Sequence, residues 1–314
     1  MLCVVVFYHP GREYPVNGAP KFRETKPKVM PWNSEPYHRR KFLQAEGGYV
    51  APDGQGVESS LLRFWGEWEP DSEMCRLVGD SPKYLHIPFL KKDAQSKYTP
   101  EMGAAPHCGG DNAPKCNGKA KESKGLQNTA PFVFADHFFY GACQQNSKKG
   151  NPTNMQSLEK GSVILFGSRL KGKFVLDTVF VVENKHEYSP GSMATDLKGF
   201  APDVYPYIMQ MGGHDKWTCY KGASFQEPFH QMYSFVPCRK CDGSEEKGFD
   251  RPVLDDADFK GCCNKQILSD GQQTQNRKVT PVSDAEAQKI WEAVWESVRR
   301  QGYLEGFNFK YSIK

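Results

Sequence analysis

The sequence predicts an α+β fold in which a mostly antiparallel, curved β-sheet or small barrel carries long loop inserts and a C-terminal helix. Two apolar runs near mid-chain, residues 162–166 and 174–182, are rich in Val, Ile, Leu and Phe and are separated by a short polar link. This pattern is typical of antiparallel strands joined as a hairpin, although a short buried helix over the second run is an open alternative. An amphipathic stripe over residues 283–302 predicts the helix.

The composition is that of a folded protein, since 38% of the residues are hydrophobic and 25% are charged. We expect a single elaborated domain over residues 1–314, because a chain of this length can bury a large core. No window approaches the roughly 18 apolar residues that a membrane span requires, so we expect no membrane partner. The first residues have no basic leader, which predicts a cytoplasmic protein. A formal net charge of +4 permits nucleic-acid binding without demonstrating it.

The chain opens with a strand-length apolar segment over residues 1–8, and a Pro-, Gly- and Lys-rich stretch then leads to a basic cluster over residues 37–43. The cluster contains Arg39, Arg40 and Lys41. Cations concentrated in this way are typical of contacts with nucleic-acid phosphates. The same pattern also occurs at the solvated end of a short helix, and both interpretations stay open.

Residues 60–90 are predicted to form the next strands and carry the first candidate site residues. Because successive side chains of a strand point to opposite faces, Trp65, Glu67 and Glu69 share one face and Trp68 lies on the other. An aromatic wall beside carboxylates suits a base pocket, in which Trp65 and Trp68 contact the base and Glu67 or Glu69 acts as a catalytic acid or base. The alternative is a structural strand with a solvated acidic face.

A basic, flexible insert is predicted over residues 91–128, because this stretch is polar and rich in Lys and Gly. Irregular segments of this length inside a compact domain are usually functional or disordered. We interpret the insert as a mobile flap. Its lysines include Lys119 and Lys121, which are candidates for phosphate contacts.

The most aromatic segment of the chain covers residues 131–143. It contains the pair Asp136 and His137, followed by Phe139 and Tyr140. A carboxylate beside an imidazole is a common acid–base combination, and the two aromatic side chains could form the wall of a base pocket. We therefore predict catalytic roles for Asp136 and His137 and base contacts for Phe139 and Tyr140.

A cysteine-rich insert is predicted over residues 237–265, where Cys238 and Cys241 are followed by Cys262 and Cys263. This spacing is close to that of a structural zinc knuckle, and it makes zinc the one cofactor that the sequence suggests. Four further residues could complete the ligand set instead: His107, Cys108, Cys116 and His230. Free thiols are the alternative.

The last predicted element is the helix over residues 283–302, which opens with a capping box formed by Ser283 and Glu286. Trp291 and Trp295 belong to its apolar stripe. We expect these two tryptophans to pack the helix onto the sheet, with base stacking as the alternative.

The central stretch resembles a recurrent feature of PUA-like domains, the superfamily that includes EVE, ASCH and related readers of modified bases. In those domains a Leu-x2-Gly-Asp/Ser element opens an apolar strand that ends near Ser, and a hairpin partner follows. Here the pattern comprises Leu158, Gly161, Ser162 and Ser168, followed by residues 174–182. Ser162 stands where an acid is common, and the long cysteine-bearing inserts have no counterpart in a minimal domain.

The resemblance implies a small pseudo-barrel with a cleft that accepts a flipped or unpaired base. Its core would comprise about residues 1–8, 60–90 and 130–236. Domains of this kind occur in RNA modification, in restriction of modified DNA and in nucleotide-modification systems.

Three hypotheses on function follow. The first is a nucleic-acid-binding protein that reads a modified or extruded base, in a defence or modification system. The second is an enzyme that hydrolyses an N-glycosidic bond, either a base-excising DNA glycosylase or a nucleotide hydrolase acting on modified nucleic acid. The third is a scaffold that uses its loops for protein contacts. The sequence has no phosphate-binding loop, dinucleotide fingerprint, nucleophile elbow or zincin helix, which weakens ATPase, dehydrogenase, serine-hydrolase and metalloprotease hypotheses.

Overall fold

The computed structural model describes most of the chain. The described residues are 1–13, 40–51, 54, 56–68, 70, 72–76, 84–91, 129–147, 150–170, 172–209, 215–241, 251–268 and 277–314. For residues 9–13, 40–41, 73–76 and 84 this description covers the backbone alone. The predicted insert over residues 91–128 therefore lies outside the described residues, apart from Lys91.

The described residues form fourteen strands and three α-helices. The strands are β1 Cys3–Glu13, β2 Arg40–Val50, β3 Val57–Glu67, β4 Ser72–Arg76, β5 Tyr84–Leu90, β6 Phe139–Tyr140, β7 Val163–Leu170, β8 Lys173–Tyr188, β9 Trp217–Gly222, β10 Val236–Lys240, β11 Val253–Leu254, β12 Arg277–Pro281, β13 Leu304–Phe307 and β14 Ser312–Ile313. The α-helices are α1 Met193–Asp196, α2 Tyr205–Ile208 and α3 Asp284–Arg300.

The predicted central hairpin is confirmed, because β7 and β8 pair antiparallel from Val163 opposite Val181 to Leu170 opposite Lys173. The strand β8 lies between β7 and β9 in a sheet of order β12-β1-β7-β8-β9-β6, with β11 also paired to β8. An interior strand covered on both faces needs apolar side chains throughout. This position explains the nearly continuous apolar run and excludes the helical alternative.

A second sheet contains a closed four-stranded barrel. The strands β2, β3, β10 and β13 pair in that order, and β13 also pairs with β2, which closes the ring. The described residues are thus mostly β with a small barrel, in agreement with the coarse prediction. The central hairpin is not part of this barrel. Closure depends on β13, which follows α3 and which the sequence pattern did not reveal as a strand.

Two aromatic side chains, Phe64 and Phe309, pack against each other inside the barrel. Phe64 of β3 packs on Phe309 with ring centroids 3.9 Å apart. Gly306 makes room for this contact, since a Cβ atom there would lie 2.6 Å from the Phe309 ring and 2.7 Å from Cys238 Sγ. The barrel therefore tolerates a large aromatic side chain only because its last strand contains a glycine.

The C-terminal helix is confirmed in detail. The Ser283 side chain accepts a hydrogen bond from the Glu286 backbone N–H, and the Glu286 carboxylate accepts one from the Ser283 backbone, which completes the capping box. Trp291 is buried and donates from Nε1 to the Tyr233 carbonyl at 2.9 Å. Trp295 is half-buried and packs against the same core. The two tryptophans anchor the helix, as expected.

None of the helices in the described part of the chain is long and apolar enough to cross a membrane. No disulfide joins any two of the described cysteines. The predicted cysteine-rich insert begins inside the barrel, because residues 237–240 belong to β10.

Candidate functional site

An open groove of about 490 Å³ lies between the barrel and the segment that precedes β6. This volume is in the range of pockets that hold small organic ligands. The groove is bounded by β2 and β3 of the barrel, by the chain that follows β13, and by residues 134–136. Its polar lining comprises Glu46, Ser59, Asp136, Gln226, Asn308 and Lys310, and its aromatic lining comprises Phe134, Phe307, Phe309 and Tyr311.

Adjacent glycines in β2 allow the aromatic floor to form. A Cβ atom on Gly47 would lie 2.8 Å from the Phe309 ring, and one on Gly48 would lie 2.9 Å from the Phe307 ring. Only a strand without side chains at these positions lets both rings lie against its backbone. This part of the site was not predicted from the sequence, although two consecutive glycines at 47–48 are a signal of close approach.

The wall opposite the barrel is held by hydrogen bonds from the C-terminal segment. With its amide nitrogen facing the 135–136 segment, Asn308 donates to the carbonyls of Ala135 and Asp136 at 3.1 and 3.2 Å. The Lys310 backbone N–H donates to the Glu46 carbonyl at 2.8 Å. These bonds fix both sides of the groove, and they leave the carboxylates of Glu46 and Asp136 exposed to it.

A cluster of charged side chains stands beside the groove. His137 Nδ1 lies 3.0 Å from the Gly222 carbonyl oxygen and 3.7 Å from Glu183 Oε2, while Nε2 lies 3.8 Å from Glu227 Oε2. Lys221 Nζ lies 3.4 Å from the same Glu183 oxygen. The groove is lined by residues 136 and 226, which directly precede His137 and Glu227 in the sequence. The charged cluster and the groove therefore lie on the same side of the molecule.

A β-bulge places Glu183 in this cluster. Val182 pairs with Gly222 and Asn184 with Lys221, so Glu183 is the extra residue of β8. Bulges redirect side chains in this way and are frequent beside functional sites. Among the described residues, His137, Glu183 and Glu227 form the single group whose potential ligand atoms lie within 4.8 Å of one another. A divalent cation could be held there, in competition with the Lys221–Glu183 ion pair.

Three of the four predicted base-binding residues lie in the core. Tyr140 is fully buried, donates from its hydroxyl to the Cys143 carbonyl and stacks on Tyr220 with centroids 5.9 Å apart. Burial raises the pKa of Tyr140 well above its ordinary value. Phe139 is also buried, and Trp68 lies beneath the groove with its ring 4.5 Å from Phe134. Trp68 therefore supports the aromatic floor, and none of these three side chains lines the groove.

Trp65 and Glu67 lie on a covered face of β3. Glu67 is 2% exposed and Trp65 5% exposed, and the Trp65 ring lies 4.4 Å from the Arg251 guanidinium. The solvated acidic face that the alternation allowed is therefore wrong for Glu67, because the Arg251 segment packs over this side of the strand. The structure does not bring Trp65, Glu67, Asp136 and Tyr140 into one cleft.

The remaining catalytic and phosphate-binding candidates are mostly outside the described residues. Asp136 lines the groove and His137 belongs to the adjacent cluster. The other residues in this class lie outside the described residues, or are described only in their backbone: Arg39, Arg40, Lys41, Glu69, Lys119 and Lys121.

Within the described residues, the four predicted zinc ligands do not form a group that could hold a metal ion. Cys238 is buried in the barrel, where burial raises the pKa of its thiol and so disfavours the thiolate that binds metals. Cys262 Sγ donates to the Lys289 carbonyl and Cys263 Sγ to that of Lys265. Their thiols thus face separate carbonyls, and Cys241 completes no group with them.

No protein-family model, curated protein or solved structure matches this chain. The PUA-like resemblance accordingly stays a prediction.

Proposed function

We propose that this protein binds nucleic acid and reads a modified or flipped-out base in the groove. The observation that carries the proposal is the pairing of two exposed carboxylates, Glu46 and Asp136, with an aromatic floor in a groove of about 490 Å³. Recognition of an extruded base requires a flat apolar surface and a few groups that hydrogen-bond to its edge. The groove offers the hydrogen-bonding groups, and the partly buried ring of Tyr311 offers the apolar surface.

The chemistry of the groove favours a base that donates hydrogen bonds. Carboxylates accept such bonds, and Asp or Glu typically accepts from the exocyclic amino group of cytosine. The side chains of Ser59 and Gln226 add groups that can donate or accept. Two carboxylates repel phosphates, so the backbone of the ligand would lie outside the groove. Lys310 at its edge and the positive net charge of the chain would favour that backbone.

The test compares oligonucleotides that carry modified bases with plain ones of the same sequence, each at two salt concentrations. We expect tighter binding of at least one modified oligonucleotide. Asp136→Asn and Glu46→Gln should reduce that preference at least about tenfold, as the loss of one charged hydrogen bond predicts. Asp203→Asn, an exposed carboxylate elsewhere, is the matched control.

Two other outcomes would contradict the proposal. A steep salt dependence without any preference would reduce the interaction to non-specific charge attraction. No binding to any oligonucleotide would contradict the proposal and favour a scaffold that contacts other proteins through its loops.

A second candidate function is hydrolysis of the glycosidic bond of the bound base. The observation that favours it is the exposure of both Glu46 and Asp136 on one groove, since glycosidases use a pair of carboxylates. The assay is the appearance of abasic sites in a modified oligonucleotide. Loss of that activity in Asp136→Asn at saturating oligonucleotide would establish catalysis, and binding without abasic sites would leave a reader.

A further inference from the structure

A small cavity between the barrel and the Arg251 segment is lined by three arginines. Arg63 of β3 and Arg239 of β10 are directly opposite each other in the antiparallel pair, and Arg251 approaches from the other side. The aromatic side chains of Trp65 and Tyr303 also line the cavity. We call this feature the arginine cavity.

Two of the three guanidinium groups are held by identified partners. Arg251 donates from Nη1 to Asp177 Oδ1 at 2.9 Å and lies 4.4 Å from the Trp65 ring. Arg239 donates from Nη1 to the Gly302 carbonyl at 3.1 Å and lies 4.1 Å from the Tyr303 ring. Asp177 compensates the charge of Arg251, whereas stacking on an aromatic ring orients a guanidinium without by itself neutralising its charge.

The third guanidinium, that of Arg63, has no such partner among the residues that the structure describes. Arg63 is 6% exposed, and its buried Nη1 makes no hydrogen bond within the described part of the chain. No carboxylate of the described residues lies within ion-pair distance of it. Like charges directly opposite each other across a pair of strands are destabilising, and a buried cation without a counter-ion is more so. The arrangement of Arg63 against Arg239 therefore calls for an anion.

We propose that the arginine cavity binds a phosphate-type oxyanion, with Arg63 as its main ligand. Guanidinium groups donate charge-assisted hydrogen bonds to phosphate oxygens, and aromatic rings already orient two of the three guanidinium groups here. The cavity itself holds about one water-sized sphere, so one phosphate oxygen enters and the rest of the group lies at the mouth. A nucleobase is too large for it.

The arginine cavity and the groove share one face of the barrel. Ser59 of β3 lines the groove, and Arg63 is on the same side of that strand because it lies four residues later, about 13 Å along it. A nucleic-acid strand with its base in the groove could thus place a backbone phosphate at Arg63. This link depends on the proposed function, whereas the anion site does not.

Thermal unfolding with added inorganic phosphate tests the site, with sodium chloride at equal ionic strength as the reference. We expect saturating phosphate to raise the melting temperature of the unaltered protein by at least about 3 °C. Arg63→Met should abolish the rise and, without phosphate, should melt at or above the temperature of the unaltered protein, because it removes a buried charge. Lys198→Met, which alters an exposed lysine, should keep the full rise.

An equal phosphate-induced rise in Arg63→Met would overturn the proposal, and so would an equal rise with chloride. If Arg63→Met does not fold, Arg63→Lys serves instead, because it keeps the charge and loses the planar guanidinium. Calorimetric titration with phosphate should then show at least about tenfold weaker binding, and unchanged binding would contradict the role of Arg63.

A competition experiment identifies the source of the phosphate. If phosphate weakens oligonucleotide binding in the unaltered protein but not in Arg63→Met, the site holds a backbone phosphate. If phosphate binds and no oligonucleotide does, the anion site binds a free phosphate compound and the base-reading proposal fails. The two proposals are therefore separable.

Discussion

Asp177 is the extra residue of a β-bulge in β8, and its Oδ1 lies 2.9 Å from Nη1 of Arg251. Phe166 pairs with Thr178 and Gly167 with Leu176, so the strand turns the Asp177 carboxylate out of the regular alternation. Both partners are buried, and Arg251 also donates to Ser168 Oγ at 3.2 Å. This ion pair attaches the Arg251 segment to the central hairpin.

Removing one member of this pair should be far more costly than removing both. We expect Asp177→Ala to lower the free energy of unfolding by about 3–5 kcal/mol, because Arg251 would be left as an uncompensated buried charge. The double variant Asp177→Leu with Arg251→Met should recover most of the loss. Urea denaturation of both variants gives the comparison. A double variant no more stable than Asp177→Ala would show that the pair contributes more than charge neutralisation.

Glu305 should make the protein less stable as the pH rises towards neutrality. Burial raises the pKa of this carboxyl from 4.5 to about 7, against the opposing effects of Arg299 and Tyr233. Since the folded form binds the proton more tightly than the unfolded form, the free energy of unfolding falls between about pH 4.5 and pH 7. Above about pH 7 the free energy of unfolding is about 3 kcal/mol lower than it is below pH 4.5.

Glu305→Gln should remove this dependence. Compared with the unaltered protein, the variant should gain up to about 3 kcal/mol more at pH 8 than at pH 4.5, as measured by urea denaturation at both values. Glu187→Gln, at an exposed ion pair with Lys216, is the control and should show no such difference. An equal effect of Glu305→Gln at both pH values would mean that the carboxyl does not titrate in this range.

Gly167 should not tolerate a side chain. A Cβ atom there would lie 2.2 Å from the Val175 carbonyl oxygen and 2.5 Å from the Phe174 ring, because the bulge brings β8 close to this position. We expect Gly167→Ala to lower the free energy of unfolding by about 1–3 kcal/mol. Gly191→Ala is the matched control, since its Cβ would meet nothing within 4 Å. Equal stability of the two variants would show that the bulge relaxes freely.

The capping box should contribute measurably to α3. Ser283→Ala removes the side chain that accepts from the Glu286 backbone, and we expect a loss of about 1 kcal/mol in the free energy of unfolding. Ser189→Ala is the control, because Ser189 precedes a short 3₁₀ helix without making a capping hydrogen bond through its side chain. The measurement is thermal unfolding of the two variants. Melting temperatures that differ by less than about 1 °C would contradict this role of Ser283.

The sequence by itself determined those elements whose signals are local. The hairpin of β7 and β8 follows from two apolar runs and a short link, and α3 follows from a capping box and a stripe of period 3.6. Asp136 and His137 stood out as candidates, because an acid beside a histidine within an aromatic run is visible in the sequence, and their catalytic roles stay a prediction. Each of these signals lies within some twenty-five residues.

Only the tertiary structure decided which side chains meet. Tyr140 and Trp68 carry the same aromatic chemistry as a base-stacking residue, and burial alone makes them part of the core. The groove joins Glu46 to Asp136 and to the chain after β13, and Arg63 meets Arg239 through strand pairing over more than 170 residues. Such contacts depend on long-range pairing and barrel closure, which leave no periodic pattern in the sequence.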